Sequence, residues 1–364
     1  MARLRIGVVG VGHLGKEHAR ILSSFSEVEL VGVADVNLPQ AEAVARQAGC
    51  PAHSNHRPLL HTADAVVIAA PTTYHHAIAA EFLAGGIHVL VEKPLAVTVQ
   101  QAEELIELAR QRQITLQVGH IERFNPAFEE LTRRSFQPKY IQCERLGPFT
   151  GRSMDIGVVL DLMIHDLDLL LALVPSPVER VEALGVSIFG GREDVANARL
   201  SFANGCVATL SASRASLVQH RRMHIWSPEG YAAIDFGTRH MTLIQPTQEL
   251  RQNGLDASSL NQGKMAILKD HIFSRCFEVF ETDCISKGDQ LTRELRDFIH
   301  SVRTGESPRA GGVEGRDAVA VAGRVLESIR VHRWDSGASA PQGPSNLPAP
   351  HGSLFRRVAP DVAA

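Results

Sequence analysis

Cysteine is scarce in this 364-residue chain, and the five present are scattered: Cys50, Cys143, Cys206, Cys276 and Cys284. None sits in a CxxC pair, so neither a disulfide framework nor a cysteine zinc site is expected, and reduced thiols in a cytoplasmic setting fit best. A basic excess is also lacking. Lysine and arginine number 37 against 40 acidic residues, for a formal net charge of -3. That balance excludes the electrostatic footprint of a nucleic-acid binder. No long uncharged apolar run exists: the most apolar window, residues 158–174, holds Asp161, His165, Asp166 and Asp168, which a membrane span would not carry. The apolar N-terminal run breaks at once into glycines and Lys16, so it lacks the h-region of a signal peptide. The expectation is a soluble, cytoplasmic protein with no nucleic-acid or membrane partner and no metal.

What is there reads as an α/β protein in two parts. Residues 5–9, 29–34, 65–70, 88–91 and 116–119 are β-branched-rich runs of strand length. They alternate with helical stretches at 15–24, 40–47, 76–84 and 99–112. Near-continuous apolar strands separated by helices predict a parallel sheet covered on both faces, a doubly wound domain over residues 1–121. From residue 122 the pattern changes. Helices are expected at 126–134, 158–173, 290–304 and 314–332. Alternating runs lie at 140–145, 178–188, 196–202, 206–211, 223–227, 231–236 and 240–244. Turn residues join several of these: Gly190-Gly191, Asn204-Gly205 and Pro228-Glu229-Gly230. This predicts an α+β domain over 122–332 with a large open, mostly antiparallel sheet. Helices on one face only would leave the other for a partner copy, so a homodimer or homotetramer is expected. After Trp334 the chain turns to Ser, Gly, Ala and Pro, and residues 333–364 read as a flexible tail.

Gly10-Val11-Gly12-His13-Leu14-Gly15 follows the first strand and opens the first helix. Gly10 permits the tight turn, Gly12 admits a pyrophosphate to the backbone, and Gly15 lets helix and strand pack closely. The helix N-terminus presents unpaired N–H groups to the anion. Asp35 lies twenty residues beyond Gly15 at the end of the second strand. A carboxylate there accepts from ribose hydroxyls and repels a 2′-phosphate, and Val36, Asn37 and Leu38 offer no arginine for one. The cofactor indicated is NAD.

Two clusters carry candidate chemistry. Glu92-Lys93-Pro94 directly follows a strand, and ligands gather at the carboxyl ends of strands in such sheets. Lys93 therefore either points at the nicotinamide region or is a surface lysine. In the second cluster, Asp161, His165 and Asp168 stand at i, i+4 and i+7 and share one helical face. Pairing of Asp161 with His165 would satisfy both on an otherwise buried helix and orient the imidazole as a base. Arg123 and Asn125, in Gly119-His120-Ile121-Glu122-Arg123-Phe124-Asn125-Pro126, sit where a substrate would enter. They read equally as a phosphate fork with a hydroxyl contact, or as a salt-bridging arginine with a helix cap. Arg214 is a further candidate for an anionic group, on no firmer ground.

Together with Pro71-Thr72-Thr73-Tyr74-His75, these motifs resemble the Gfo/Idh/MocA oxidoreductase family over residues 4 to about 332. The resemblance implies that Lys93 polarises a substrate hydroxyl, His165 takes its proton, and Asp161 supports the site. It implies a cis Lys93–Pro94 bond, with Thr72, His75 and Glu92 beside the nicotinamide and Asp168 toward the substrate. One departure stands out: Met163 occupies the place of the family's usual glycine between Asp161 and His165. The strings around His120 and His165 are similar to the branch that oxidises the 3-hydroxyl of UDP-N-acetylglucosamine for lipid A precursors. In that branch a separate pyridoxal-phosphate aminotransferase consumes the 3-keto sugar. Other readings stay open at this stage. They are a family dehydrogenase of inositols or free sugars, an NAD-retaining glycosidase-like enzyme, and a non-catalytic NAD-binding scaffold. A scaffold would not need both Lys93 and His165.

Overall fold

The first six strands are short and most of their residues are buried, because helices cover both faces of the sheet they make. The structure, a computed structural model, describes residues 2–134, 136–151, 155–189, 192–254, 272, 274–284, 289–335 and 341–346, with isolated positions 263, 265, 266 and 337. The chain opens β1 (Leu4–Val9), α1 (Gly15–Ser24), β2 (Val28–Ala34), α2 (Leu38–Ala48), β3 (Ala52–His53), β4 (Ala65–Ile68), α3 (Thr72–Ala84), β5 (His88–Glu92), α4 (Val99–Arg112) and β6 (Leu116–Gly119). The strands lie in the order β3-β2-β1-β4-β5-β6, all parallel. The strand order reverses at β1, whose neighbours are β2 and β4, so the crevice at the carboxyl ends of β1 and β4 is where a dinucleotide binds in this architecture. Helix α3 begins four residues before the apolar periodicity predicts. Thr72 and His75 fill inward positions that the pattern reserves for apolar residues.

The second unit holds α5 (Pro126–Thr132), β7 (Tyr140–Leu146), α6 (Ile164–Leu173), β8 (Val178–Ser187), β9 (Val195–Phe202), β10 (Val207–Ser213), β11 (His220–Ser227), β12 (Gly230–Asp235), β13 (His240–Pro246), α7 (Gln248–Asn253), β14 (Phe277–Asp283), α8 (Gln290–Thr304), α9 (Gly312–Val331) and β15 (Ser345–Asn346). Among the described residues its sheet has nine strands, in the order β14-β13-β12-β11-β7-β10-β9-β8-β15. It is mostly antiparallel; β7 with β10 and β8 with β15 are the parallel pairs. The Asn204-Gly205 hairpin joins β9 to β10, and Gly205 has φ +81°. The Gly190-Gly191 turn falls outside the described residues. Strand β14 and helix α7 were not legible as elements in the sequence.

One face of this sheet packs Cys143, Leu210, Ala198, Met223 and Ile234 against Leu167, Leu170 and Val325 of α6 and α9. On strand β7 burial alternates residue by residue, the pattern of a sheet covered on one side. The other face carries a stack of Tyr140, Trp226 and Tyr231, with ring centroids 5.1 and 5.4 Å apart.

Two helices of the second unit pack beyond it. Helix α8 returns to the first sheet, where Leu291, Leu295 and Phe298 join Ile6, Val8 and Leu22 in one core. Helix α9 touches both units: Gly315 lies against Val118 and Leu95, and Ile329 against Gly185. An amphipathic pattern shows that a helix has a buried face but not which sheet buries it. The segment after Trp334 also departs from a simple tail. Trp334 Nε1–H donates to Gly343 O (2.9 Å), and β15 pairs with the edge strand β8. No helix among the described residues is long and apolar enough to cross a membrane.

Candidate active site

The glycine turn after β1 has the features a bound pyrophosphate needs. Gly10 adopts φ +83°, and a Cβ there would fall 2.7 Å from the backbone of Ala69 and Ala70. A side chain at Gly15 would run into the carbonyl oxygen of Gly10. At Gly12 the direction of a side chain is open, with no described atom within 4 Å. Leu14 is the N-cap of helix α1 and makes no side-chain cap bond; the N–H groups of Lys16 and Glu17 donate to Gly12 O (3.2 Å) and Leu14 O (2.9 Å), and His13 and Leu14 are exposed at the turn. At the end of β2, Asp35 is held by two backbone donors: Val11 N–H to Oδ2 (2.8 Å) and Asn37 N–H to Oδ1 (2.9 Å). This cradle and half-buried carboxylate fit the pyrophosphate and adenosine ribose of a dinucleotide.

At the carboxyl end of β5, Glu92 is buried and accepts from His18 Nε2–H (2.8 Å). Burial would raise its pKa, but the bond and charge of His18 and the charge of Lys93 outweigh it and hold the carboxyl below its ordinary value. The Lys93–Pro94 peptide is cis. His75 is buried with both ring nitrogens against carbonyl oxygens, Pro94 O and Ala70 O, each at 2.8 Å. The ring clamps the segment after Lys93 to the residues that follow β4. Thr72 is buried in the first turn of α3.

The Asp161–His165 segment is not one regular α-helix. Residues Val159–Met163 form a widened π turn before α6, an irregularity that recurs at functional sites. The expected pairing of Asp161 with His165 is replaced by another. Lys93 Nζ donates to the main-chain oxygen of Asp161 (2.6 Å) and to its carboxylate Oδ1 (3.1 Å). This contact brings Lys93 to within four residues of His165 on the same segment. His165 Nδ1 is buried with no partner among the described residues. Burial first, and then the charge of Lys93, hold this imidazole well below its ordinary pKa, so it is neutral and able to accept a proton. Met163 is fully buried in the core.

The residues assigned to substrate from sequence are engaged elsewhere. Arg123 Nε–H donates to both oxygens of Asp168 (2.8 and 3.0 Å), and its Nη1 to Arg309 O. These contacts match the salt-bridge reading of Arg123. Asn125 is fully buried and caps α5, with Oδ1 accepting from Ala127 N–H (3.1 Å). Arg214, buried, donates to Asp194 (2.7 Å) and to Ile156 O. Long-range partners decide the two arginines and are not visible in local spacing, whereas the Asn125 cap is local.

Sequence reasoning missed a buried network beneath the site. Arg145, 3% exposed, donates to Asp166 (2.8 and 3.1 Å) and to Glu122 (2.9 Å), tying β7 to α6 and to the turn Ile121–Phe124. A charged residue at an inward position of alternating strand β7 was the available signal. His120, also buried, lies with Nδ1 3.9 Å from Asp168 Oδ2.

Comparison with known proteins agrees with this geometry. Residues 4–120 match the Gfo/Idh/MocA oxidoreductase family, NAD-binding Rossmann fold, and residues 132–233 its C-terminal domain. The chain is 36% identical to a UDP-N-acetylglucosamine 3-dehydrogenase of Acidithiobacillus ferrooxidans, over 90% of this chain and 98% of that protein. A solved structure of that dehydrogenase superposes with a TM-score of 0.79, at 34% identity, again over 90% of this chain and 98% of the other. A levoglucosan dehydrogenase in complex with NADH shares the fold, with a TM-score of 0.74 at 19% identity over 90% of this chain and 96% of the other. With its glycine cradle, its Lys93–Asp161 contact and its neutral His165, the chain belongs to the Gfo/Idh/MocA family of NAD-binding oxidoreductases.

Proposed function

We propose that this enzyme oxidises the 3-hydroxyl of UDP-N-acetylglucosamine, or of a closely similar nucleotide sugar, to the 3-keto sugar with NAD as acceptor. The observation that carries the chemistry is the Lys93–Asp161 contact, which puts a cation beside the segment that bears a neutral imidazole. Bound NAD supplies the hydride acceptor. Lys93, paired with Asp161, polarises the substrate hydroxyl and stabilises the developing alkoxide. His165 takes the hydroxyl proton as general base. Asp35 favours NAD over NADP, because a carboxylate repels a 2′-phosphate. The substrate assignment is supported by 36% identity to a dehydrogenase of that name over nearly its full length.

The test is formation of reduced nicotinamide by purified enzyme with NAD and a panel of UDP-sugars, inositols and free sugars. UDP-N-acetylglucosamine should give the highest kcat/KM. A higher value with an inositol or a free sugar would overturn the substrate assignment and leave the chemistry standing.

The open face of the second sheet, with Tyr140, Trp226 and Tyr231 stacked on it and Trp226 38% exposed, supports a second copy of the chain as its occupant.

A further inference from the structure

Behind Lys93 lies a buried cluster that the proposed chemistry leaves unused. His18 on α1, Glu92 at the end of β5 and Glu294 on α8 bring a nitrogen and two carboxylate oxygens within 4.8 Å of one another, all buried. Glu92 is satisfied: His18 Nε2–H donates to Oε1 (2.8 Å) and Lys93 N–H to Oε2 (3.3 Å). Glu294 is not. It is 0% exposed, and neither of its oxygens has a partner among the described residues. His18 Nδ1, the lone-pair side of the same ring, is likewise unpartnered.

An ionised carboxylate without a donor, in a dry site beside a second carboxylate, is an arrangement proteins avoid. The other charged groups around it do not relieve it. Lys93, just after β5, is turned to Asp161, Glu122 in the turn before α5 and Asp297 on α8 are acidic, and Arg123 is committed to Asp168. A single proton does relieve it, because it converts the orphan acceptor into a donor beside a charged acceptor, the Glu92 carboxylate.

We propose that Glu294 is a positioning residue that serves as a neutral carboxylic acid, its O–H shared with the Glu92–His18 pair to fix the strand end that carries Lys93. Burial, and then the charges of Glu92 and Asp297, push Glu294 well above the ordinary carboxylate range. Glu92 keeps its charge. The inference rests on Lys93 being the lysine of the proposed reaction.

The experiment compares Glu294→Gln, which keeps an N–H donor, with Glu294→Ala, in the full chain. Glu294→Gln should keep kcat within about two-fold of wild type, whereas Glu294→Ala, which takes the donor away from Glu92, should lose about ten-fold. In a Lys93→Met background Glu294→Ala should not lower the residual rate further, although it still lowers the melting temperature. The folded state holds a proton on Glu294 that the unfolded chain releases above the ordinary carboxylate range. Wild-type stability should therefore fall as pH rises toward the folded-state value, and Glu294→Gln should lack that slope. The infrared difference between wild type and Glu294→Gln should contain a protonated carboxyl band. The proposal is overturned if Glu294→Gln is as damaged as Glu294→Ala, if both enzymes share one alkaline slope, or if untreated enzyme carries stoichiometric metal whose removal lowers the melting temperature. The stability and infrared readouts do not depend on the substrate. Their failure is therefore distinguishable from failure of the proposed reaction.

Discussion

The ammonium of Lys93 lies 2.6 Å from the main-chain oxygen of Asp161 and 3.1 Å from its carboxylate, joining β5 of one sheet to the helical segment packed on the other. The main-chain bond survives when the carboxylate charge is removed. Asp161→Asn should therefore weaken the site rather than abolish it, with kcat reduced roughly ten- to hundred-fold, a loss of about 1.5–3 kcal/mol from one charge-assisted bond. The KM for NAD should hardly change. Steady-state kinetics with each substrate varied in turn checks both.

His165 is held neutral by burial and by the charge of Lys93, with its pKa well below the ordinary imidazole value. A base of that kind loses its lone pair only when the pH falls through the depressed value. The acidic limb of kcat/KM should accordingly lie below the pH at which an exposed histidine titrates. In Lys93→Met the limb should move up toward the ordinary range, because the largest of the charges that depress it is gone. An acidic limb at the ordinary imidazole pH in wild type would show that another group is titrating.

Arg145 neutralises Asp166 and Glu122 in a site from which water is excluded. Arg145→Met strands two buried carboxylates and should cost about 3–5 kcal/mol, the usual effect of removing one partner from a buried pair. Chemical denaturation would read it as a lower midpoint. Simultaneous replacement of Asp166 and Glu122 by Asn and Gln should recover part of the loss, since the cost lies in the unpaired charges.

Asp35 receives two backbone N–H bonds and needs no side-chain partner to stay in place. Asp35→Ser should therefore leave the fold intact, as judged by melting temperature, and lower the NAD to NADP preference in kcat/KM by at least about ten-fold.

The Tyr140–Trp226–Tyr231 stack gives a separate prediction about assembly. Trp226→Asp places a charge in the proposed contact between copies and should shift the protein toward monomer in analytical ultracentrifugation. A wild-type protein that is already monomeric would remove that part of the proposal.

Much of the dinucleotide half was legible because its signals are local. The three glycines, the strand before them and Asp35 are set by spacing along one βαβ unit, and the backbone geometry at Gly10 and Gly15 follows from it. The substrate half was read less well because its polar residues are partnered across the fold. Arg123 finds Asp168 forty-five residues away, and Lys93 finds Asp161 at sixty-eight. Spacing alone offered Asp161 and His165 to each other, but a π turn and a lysine from another sheet intervened. Glu294 was invisible for the same reason: α8 reads as an ordinary amphipathic helix, and only the fold returns it to the first sheet.

The most direct test of the central claim is single-turnover formation of reduced nicotinamide from UDP-N-acetylglucosamine by wild type, Lys93→Met and His165→Gln, alongside NAD affinity measured by calorimetry. The account predicts unchanged NAD binding, with hydride transfer slowed by about 10²–10⁴-fold in each variant. Wild-type rates in either variant would contradict it.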